Sequence, residues 1–211
     1  GVGLLVTSIA IEGSPHGDWS IRAEAVPASE PYRPGRRTPK PSVYGVQSAT
    51  VIGPPGQEIH TDDHGRVRVQ FPWDREGQGS CWLRVAQGWA GAGLGLFTLP
   101  RVGQEVLVSF LAGDPDQPII VGRISNPLNP APLKLPEERT QSVWRSATSP
   151  GGEGWSEIRI EDARGAELLS MRAERDMGLV VRRDRTEATG GDATSRVEGR
   201  RVLYVGQDAH V

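Results

Sequence analysis

Residues 66–71, Arg66-Val-Arg-Val-Gln-Phe71, alternate strictly between apolar and polar side chains. Val67, Val69 and Phe71 fall on one face and Arg66, Arg68 and Gln70 on the other, the pattern of a half-buried antiparallel strand. Upstream, Ala49-Thr-Val-Ile52 is a short β-branched run closed by Gly53-Pro-Pro-Gly56. Downstream, Cys81-Trp-Leu-Arg-Val-Ala86, Glu105-Val-Leu-Val-Ser-Phe-Leu111 and Pro118-Ile-Ile-Val-Gly-Arg-Ile124 are further strand-like runs. A Gly-rich bend from Gly88 to Gly95 and a turn at Gly113-Asp-Pro-Asp116 separate them. Five or six strands in roughly 80 residues, with turn chemistry at each junction, predict a small closed barrel or sandwich.

Composition agrees with many short strands. The 211 residues include 27 Gly and 17 Pro, and both residue types are costly inside helices. Apolar residues at 36% and interspersed charges of both signs argue against wholesale disorder. Lys plus Arg number 24 and Asp plus Glu 26, so the basic excess usual in nucleic-acid binders is absent. Arg outnumbers Lys 22 to 2, which favours planar, fixed ion pairs. One cysteine, Cys81, excludes an internal disulfide and a cysteine-based zinc cluster, and its setting predicts a small buried apolar side chain. No apolar run approaches the ~18 residues of a membrane-spanning helix. The text opens without Met and is strand-like from the start, so the chain is expected to be an excised piece of a longer protein.

On the N-terminal side, residues 4–11 and 19–26 read as two strands around the turn Gly13-Ser-Pro-His-Gly17. Two strands cannot bury a core unaided. Prolines 27, 31, 34, 39 and 41 make the stretch that follows an extended strap, and Asn126–Pro136, with four prolines, is a second. Of the 61 residues from 151 to 211, only 16 are Val, Ile, Leu, Met, Trp or Tyr, while 10 are Arg and 12 are Asp or Glu. So few large apolar groups do not offset about 1–2 kcal/mol of backbone entropy per ordered residue in a single chain, which leaves two readings: disorder, or a core shared with identical copies. Period-two text (Ile158/Ile160, Leu179/Val181, Val202/Tyr204) and valines eight apart at 197 and 205 favour the shared core. Ala166–Arg175 is the one stretch whose local text would also suit a helix, and it is read as strand.

Several constellations suggest chemistry. His60-Thr-Asp-Asp-His64 sets two imidazoles and two carboxylates within five residues, suited to a divalent metal and hence to a metal-dependent hydrolase. The plainer reading is a polar hairpin loop ending at Gly65. Asp74 with Glu76, and Asp114 with Asp116, are paired acids in turn contexts, where carboxylates are usually solvated. Gly91-Ala-Gly-Leu-Gly95 lacks the Lys-Ser/Thr ending of a phosphate loop and reads as a flexible bend. A small barrel also invites an oligonucleotide, with Trp82 or Trp89 stacking beside Arg66, Arg68 and Arg84, against which the dense acidic residues count.

The ordered motifs Ala-Thr-Val-Ile-Gly-Pro54, Ile59-His-Thr-Asp-Asp-His-Gly-Arg-Val-Arg-Val-Gln-Phe-Pro-Trp-Asp-Arg-Glu76, Ser80-Cys-Trp-Leu-Arg-Val85, Pro100-Arg-Val-Gly-Gln-Glu-Val-Leu-Val-Ser-Phe110 and Gly113-Asp-Pro-Asp-Gln-Pro-Ile-Ile-Val-Gly-Arg123 closely resemble the VgrG family. That family forms the spike of the bacterial type VI secretion system and is akin to the phage baseplate hub and tail spike. The resemblance implies an all-β chain: residues 1–43 as a hub remnant and strap, 44–126 as an OB-fold barrel, 127–150 as a linker, and 151–211 as the start of a trimeric intertwined β-helical needle. It implies a homotrimer, with a PAAR-type tip protein, the Hcp tube and secreted effectors as partners. A target membrane would be contacted mechanically, and no nucleic acid is implied. It implies residence in the bacterial cytoplasm before firing and delivery into target cells afterwards. It carries over no catalytic residue, cofactor or metal ligand, so no enzyme is expected. Ile158, Ile160, Leu179, Val181, Val197, Val202 and Val205 become the expected trimer-core positions.

Overall fold

A computed structural model describes residues 1–206, so the last five residues of the stretch 151–211 lie outside the described residues. The chain is nearly all β. The strands among the described residues are β1 (Leu4–Glu12), β2 (Ser20–Pro27), β3 (Val46–Ile52), β4 (Arg68–Gln70), β5 (Arg84–Val85), β6 (Trp89–Ala90), β7 (Gly95–Leu96), β8 (Glu105–Phe110), β9 (Pro118–Ile124), β10 (Gln141–Ala147), β11 (Trp155–Glu161) and β12 (Leu168–Arg172). The only helical element among the described residues is one 3₁₀ turn, Leu111–Gly113. Two compact units divide the chain: residues 1–139 with 149–152, and residues 140–148 with 153 onward.

The first unit holds a five-stranded sheet in the order β4-β3-β8-β9-β5, antiparallel except for the parallel β5–β9 pair. A bridge between Val67 and Leu83 joins its two ends, with Val67 N–H donating to Leu83 O at 3.0 Å and Leu83 N–H to Val67 O at 2.8 Å. The sheet thereby closes into a barrel with no free edge at that seam. Its interior is filled by Ala49, Val51, Val67, Val69, Leu83, Val106, Val108 and Ile120, with Phe71, Val85, Leu99 and Phe110 packed around them. The alternation of residues 66–71 is thus realised, Val67 and Val69 being fully buried.

Three local expectations change. Cys81 is exposed rather than a buried strand residue. The chain bends there because Ser80 accepts the Val69 amide on its Oγ at 2.9 Å and donates that Oγ to the Cys81 carbonyl at 2.7 Å. The strand then shrinks to Arg84–Val85. The Gly-rich bend is a tight hairpin, β6–β7, paired Trp89↔Leu96 and Ala90↔Gly95.

The N-terminal strands β1 and β2 pair antiparallel as expected, and their apolar side chains, including Leu4, Ile9, Ile11 and Ile21, stay exposed.

In the second unit, β10, β11 and β12 form an antiparallel three-stranded sheet. Its first strand lies within 127–150, the stretch read as a linker. Beyond Arg172 no strand forms among the described residues, and residues 173–206 are exposed throughout, including the period-two positions 179/181 and 202/204.

Candidate functional site

The His60–His64 loop is organised around one carboxylate. Asp62 Oδ1 accepts the amides of His64 at 3.0 Å and Arg66 at 2.9 Å, while Oδ2 accepts Arg66 Nε at 2.6 Å. Partial burial works against ionisation, but the Arg66 side chain and the two amides outweigh it and hold the Asp62 carboxyl at about 2. Its oxygens are therefore committed to turn and ion-pair bonds. His60 Nδ1 lies 3.1 Å from Gln57 Oε1, with its ring 5.0 Å from that of Trp82, and the His64 side chain is 77% exposed. The two imidazoles do not converge. Among the described residues, no group of three or more His, Cys, Asp or Glu side chains is arranged to hold a metal ion.

The paired acids also serve turns. Asp74 accepts the amides of Gly77 at 3.0 Å and Gly79 at 2.8 Å, and Glu76 accepts Gln78 Nε2 at 2.7 Å. Asp114 accepts the Asp116 amide at 3.0 Å and, with Asp116, pairs with Lys40. Two of the three arginines that an oligonucleotide would need, Arg66 and Arg68, are engaged too. Arg66 is bound to Asp62, and Arg68 donates to the carbonyls of Ser80 at 2.8 Å and Gln78 at 2.9 Å.

The second unit offers a different surface. The register places Trp144 opposite Ile158 and Ile158 opposite Met171, with Ser142, Ile160 and Leu169 in the next row on the same face. This apolar face is bare: Trp144 is 57% exposed, Met171 59% and Leu169 66%. Trp144, Ile158 and Met171 of this face, with Met177, line an open groove of about 250 Å³. The opposite face is charged yet better covered. There Glu157, with a side chain 7% exposed, accepts Arg159 Nε at 2.8 Å and Arg145 Nε. Burial works against its ionisation, but the two guanidinium groups outweigh it and keep its carboxyl below the ordinary range. The Trp155 ring lies beneath Arg172, whose guanidinium carbon is 3.7 Å from the ring centroid. A sheet that covers its charges and bares its apolar stripe lacks its packing partner.

Sequence reasoning marked Ile158 and Ile160 on this face but missed Trp144 and Met171. The alternation of Gln141–Ala147 mixes Ser with Trp on one side and Val with Arg on the other, so it carries no amphipathic signal.

Comparison with known proteins matches both units. Residues 57–124 match the type VI secretion system/phage-baseplate injector OB domain, and residues 142–211 the bacteriophage T4 gp5 C-terminal trimerisation domain. The chain is 52% identical over 171 residues to the type VI secretion system spike protein VgrG4b of Pseudomonas aeruginosa, covering 79% of this chain and 21% of that protein. It is 47% identical over 181 residues to VgrG1b of the same organism, covering 83% and 24%. The chain thus spans about a fifth to a quarter of the length of these relatives. Among solved structures, the E. coli c3393 protein, a type VI secretion component similar to T4 tail proteins gp27 and gp5, aligns at 27% identity with a TM-score of 0.40, covering 57% of this chain and 30% of that one. That superposition is too loose to bear on the fold. The two domain matches in order, with spike proteins at about half identity across most of the chain, show that this chain belongs to the VgrG family of type VI secretion spike proteins.

Proposed function

We propose that the chain is a structural, non-enzymatic part of a homotrimeric spike, whose rigidity lets a contractile apparatus drive it through a target envelope with tip and effector proteins attached. The observation that carries this reading is the unfinished state of the second unit in a single copy. The apolar face of β10–β12 is uncovered, and residues 175–206 make no backbone–backbone hydrogen bond among the described residues. Backbone amides and carbonyls left without protein partners over thirty or so residues are foreign to a finished fold. Three copies winding together supply both partners and cover. Ile158 and Ile160 on the bare face, followed by Leu179, Val181, Val197, Val202 and Val205, then fill the common axis. The trimerisation-domain match over the same residues supports this assignment.

Residues 44–126 act as the spike's barrel, residues 127–150 as a linker, and residues 1–43 as the end of a hub that seats the Hcp tube. A PAAR-type protein at the far end of the needle and effectors complete the assembly, which waits in the bacterial cytoplasm and leaves with the firing stroke. Light scattering of the purified chain tests the central point. A trimer is expected, and Ile160→Asp, which sets a charge on the axis, should shift the mass toward one chain. A wild-type monomer with a fully folded second unit would overturn the reading.

A further inference from the structure

No charged side chain occurs between Arg84 and Arg101, in a protein in which 24% of residues are charged. The β6–β7 hairpin occupies this stretch and presents Trp89 at 65% exposure, Leu94 at 68%, Leu96 at 47% and Phe97 at 63%. The hairpin is nonetheless firmly built. Gly91 N–H donates to Leu94 O at 2.9 Å across its tip. At its base, Gln87 pairs with the Thr98 backbone as a strand would, Nε2 donating to Thr98 O at 3.2 Å and Thr98 N–H to Oε1 at 3.0 Å. Arg123 Nη2 donates to Thr98 Oγ1 at 3.0 Å and also to its carbonyl. Gly95 has φ +140°, and a Cβ there would fall 2.4 Å from the Trp89 carbonyl oxygen, so the two arms approach as only glycine permits. The Phe97 ring is seated over Gly65, where a Cβ would meet it at 2.6 Å. The backbone that carries these four large apolar side chains is thus set in advance, and so is the Phe97 ring, which is how a surface limits the entropy lost on binding.

We propose that this hairpin is a contact between copies of the chain, its tip packing on the barrel of a neighbouring copy. The inference rests on the homotrimer reading, which puts a second copy permanently at hand, and adds a barrel-level interface to the one assigned to the needle. The chemistry selects that occupant. The hairpin has no cation for a nucleic acid or acidic partner and no anion for a basic one. Charge-depleted, aromatic-rich surfaces that resemble a divided core are characteristic of obligate copies, whereas transient partners meet on more polar ground.

The test uses the full chain with Cys81→Ser and Leu94→Cys, labelled with benzophenone maleimide and illuminated. Arg75→Cys, in the exposed loop after β4, serves as the control. Covalent two- and three-chain species from position 94, several-fold above those from position 75, are expected. A trimer by light scattering that gives no such species from position 94 overturns the hairpin contact and leaves the trimer reading standing. A monomer removes both. Leu94→Asp gives an independent readout: the denaturant midpoint for trimer dissociation should fall while the barrel stays folded, and an unchanged midpoint counts against the contact.

Discussion

Arg145 and Glu157 face each other as a cross-strand pair between β10 and β11, and the Arg145 Nε donates to the Glu157 carboxylate. Arg159, two residues along the same strand, donates to the other carboxylate oxygen at 2.8 Å. One nearly covered carboxylate thus ties two partly covered guanidinium groups on the charged face of the sheet. Glu157→Gln keeps the shape but removes the charge both arginines need, and should destabilise the second unit by about 1–3 kcal/mol. Urea denaturation of the full chain, followed by near-ultraviolet signals of Trp144 and Trp155, reads the loss. A variant as stable as the parent would mean that the pairs contribute only as exposed ones do.

The barrel core and the His60–His64 loop should respond in opposite ways. Leu83 is fully buried at the seam that closes the barrel, so Leu83→Ala combines lost apolar burial with a cavity and should cost about 2–5 kcal/mol. The His64 side chain is 77% exposed, and its ring lies 3.9 Å from the Asp62 carboxylate at the closest. His64→Ala should change stability by less than about 0.5 kcal/mol. Paired denaturation curves compare the two. A large loss from His64→Ala, or a zinc-dependent gain in the parent's stability, would revive the metal reading.

How far these features could be read beforehand follows from where their partners lie. Val67, Val69 and Phe71 were legible because a single covered face imposes a period of two on its own strand. Cys81 was not, since the bend that exposes it is set by the Ser80 hydroxyl bonding both to the β4 amide of Val69 and to the neighbouring carbonyl. Gln87 and Thr98 make a firm hairpin from text that looked flexible, through a side-chain pairing eleven residues apart that no local pattern reports. The face carrying Trp144 and Met171 was legible only through Ile158 and Ile160, because Trp144 alternates with Ser142 and Ser146 in a strand whose text sets no apolar side against a polar one. The family resemblance, carried by long motifs in the barrel, was plain.

Gly95 is the position where a single methyl should separate hairpin from barrel. Its φ of +140° and the 2.4 Å approach of an added Cβ to the Trp89 carbonyl oxygen set Gly95→Ala against both backbone preference and space. A strain of about 1–3 kcal/mol at the hairpin corresponds to a loss of amide protection there of about fivefold to a hundredfold. Hydrogen exchange should therefore accelerate at the Gly91 amide, which bonds Leu94 O. The Val67 and Leu83 amides, which close the barrel seam, should keep their rates. Equal acceleration at the seam would show that hairpin and barrel open together.

The acid limb of barrel stability should carry the signature of Asp62. Its carboxyl is held at about 2 in the folded chain against an ordinary value of 3.8, so the folded state binds the proton less readily than the unfolded one. The contribution is therefore complete above the unfolded value and is lost as pH falls through the folded one. Asp62→Asn keeps a side-chain oxygen for the His64 and Arg66 amides but cannot pair with the Arg66 guanidinium. The stability difference between parent and variant should be flat from neutral pH down to about pH 4–5 and then shrink between about pH 4 and pH 2. Thermal melts of both proteins across that range measure it. A difference that holds constant to pH 2 would mean that the carboxylate's charge has no part in fixing the loop, leaving only its hydrogen-bond geometry.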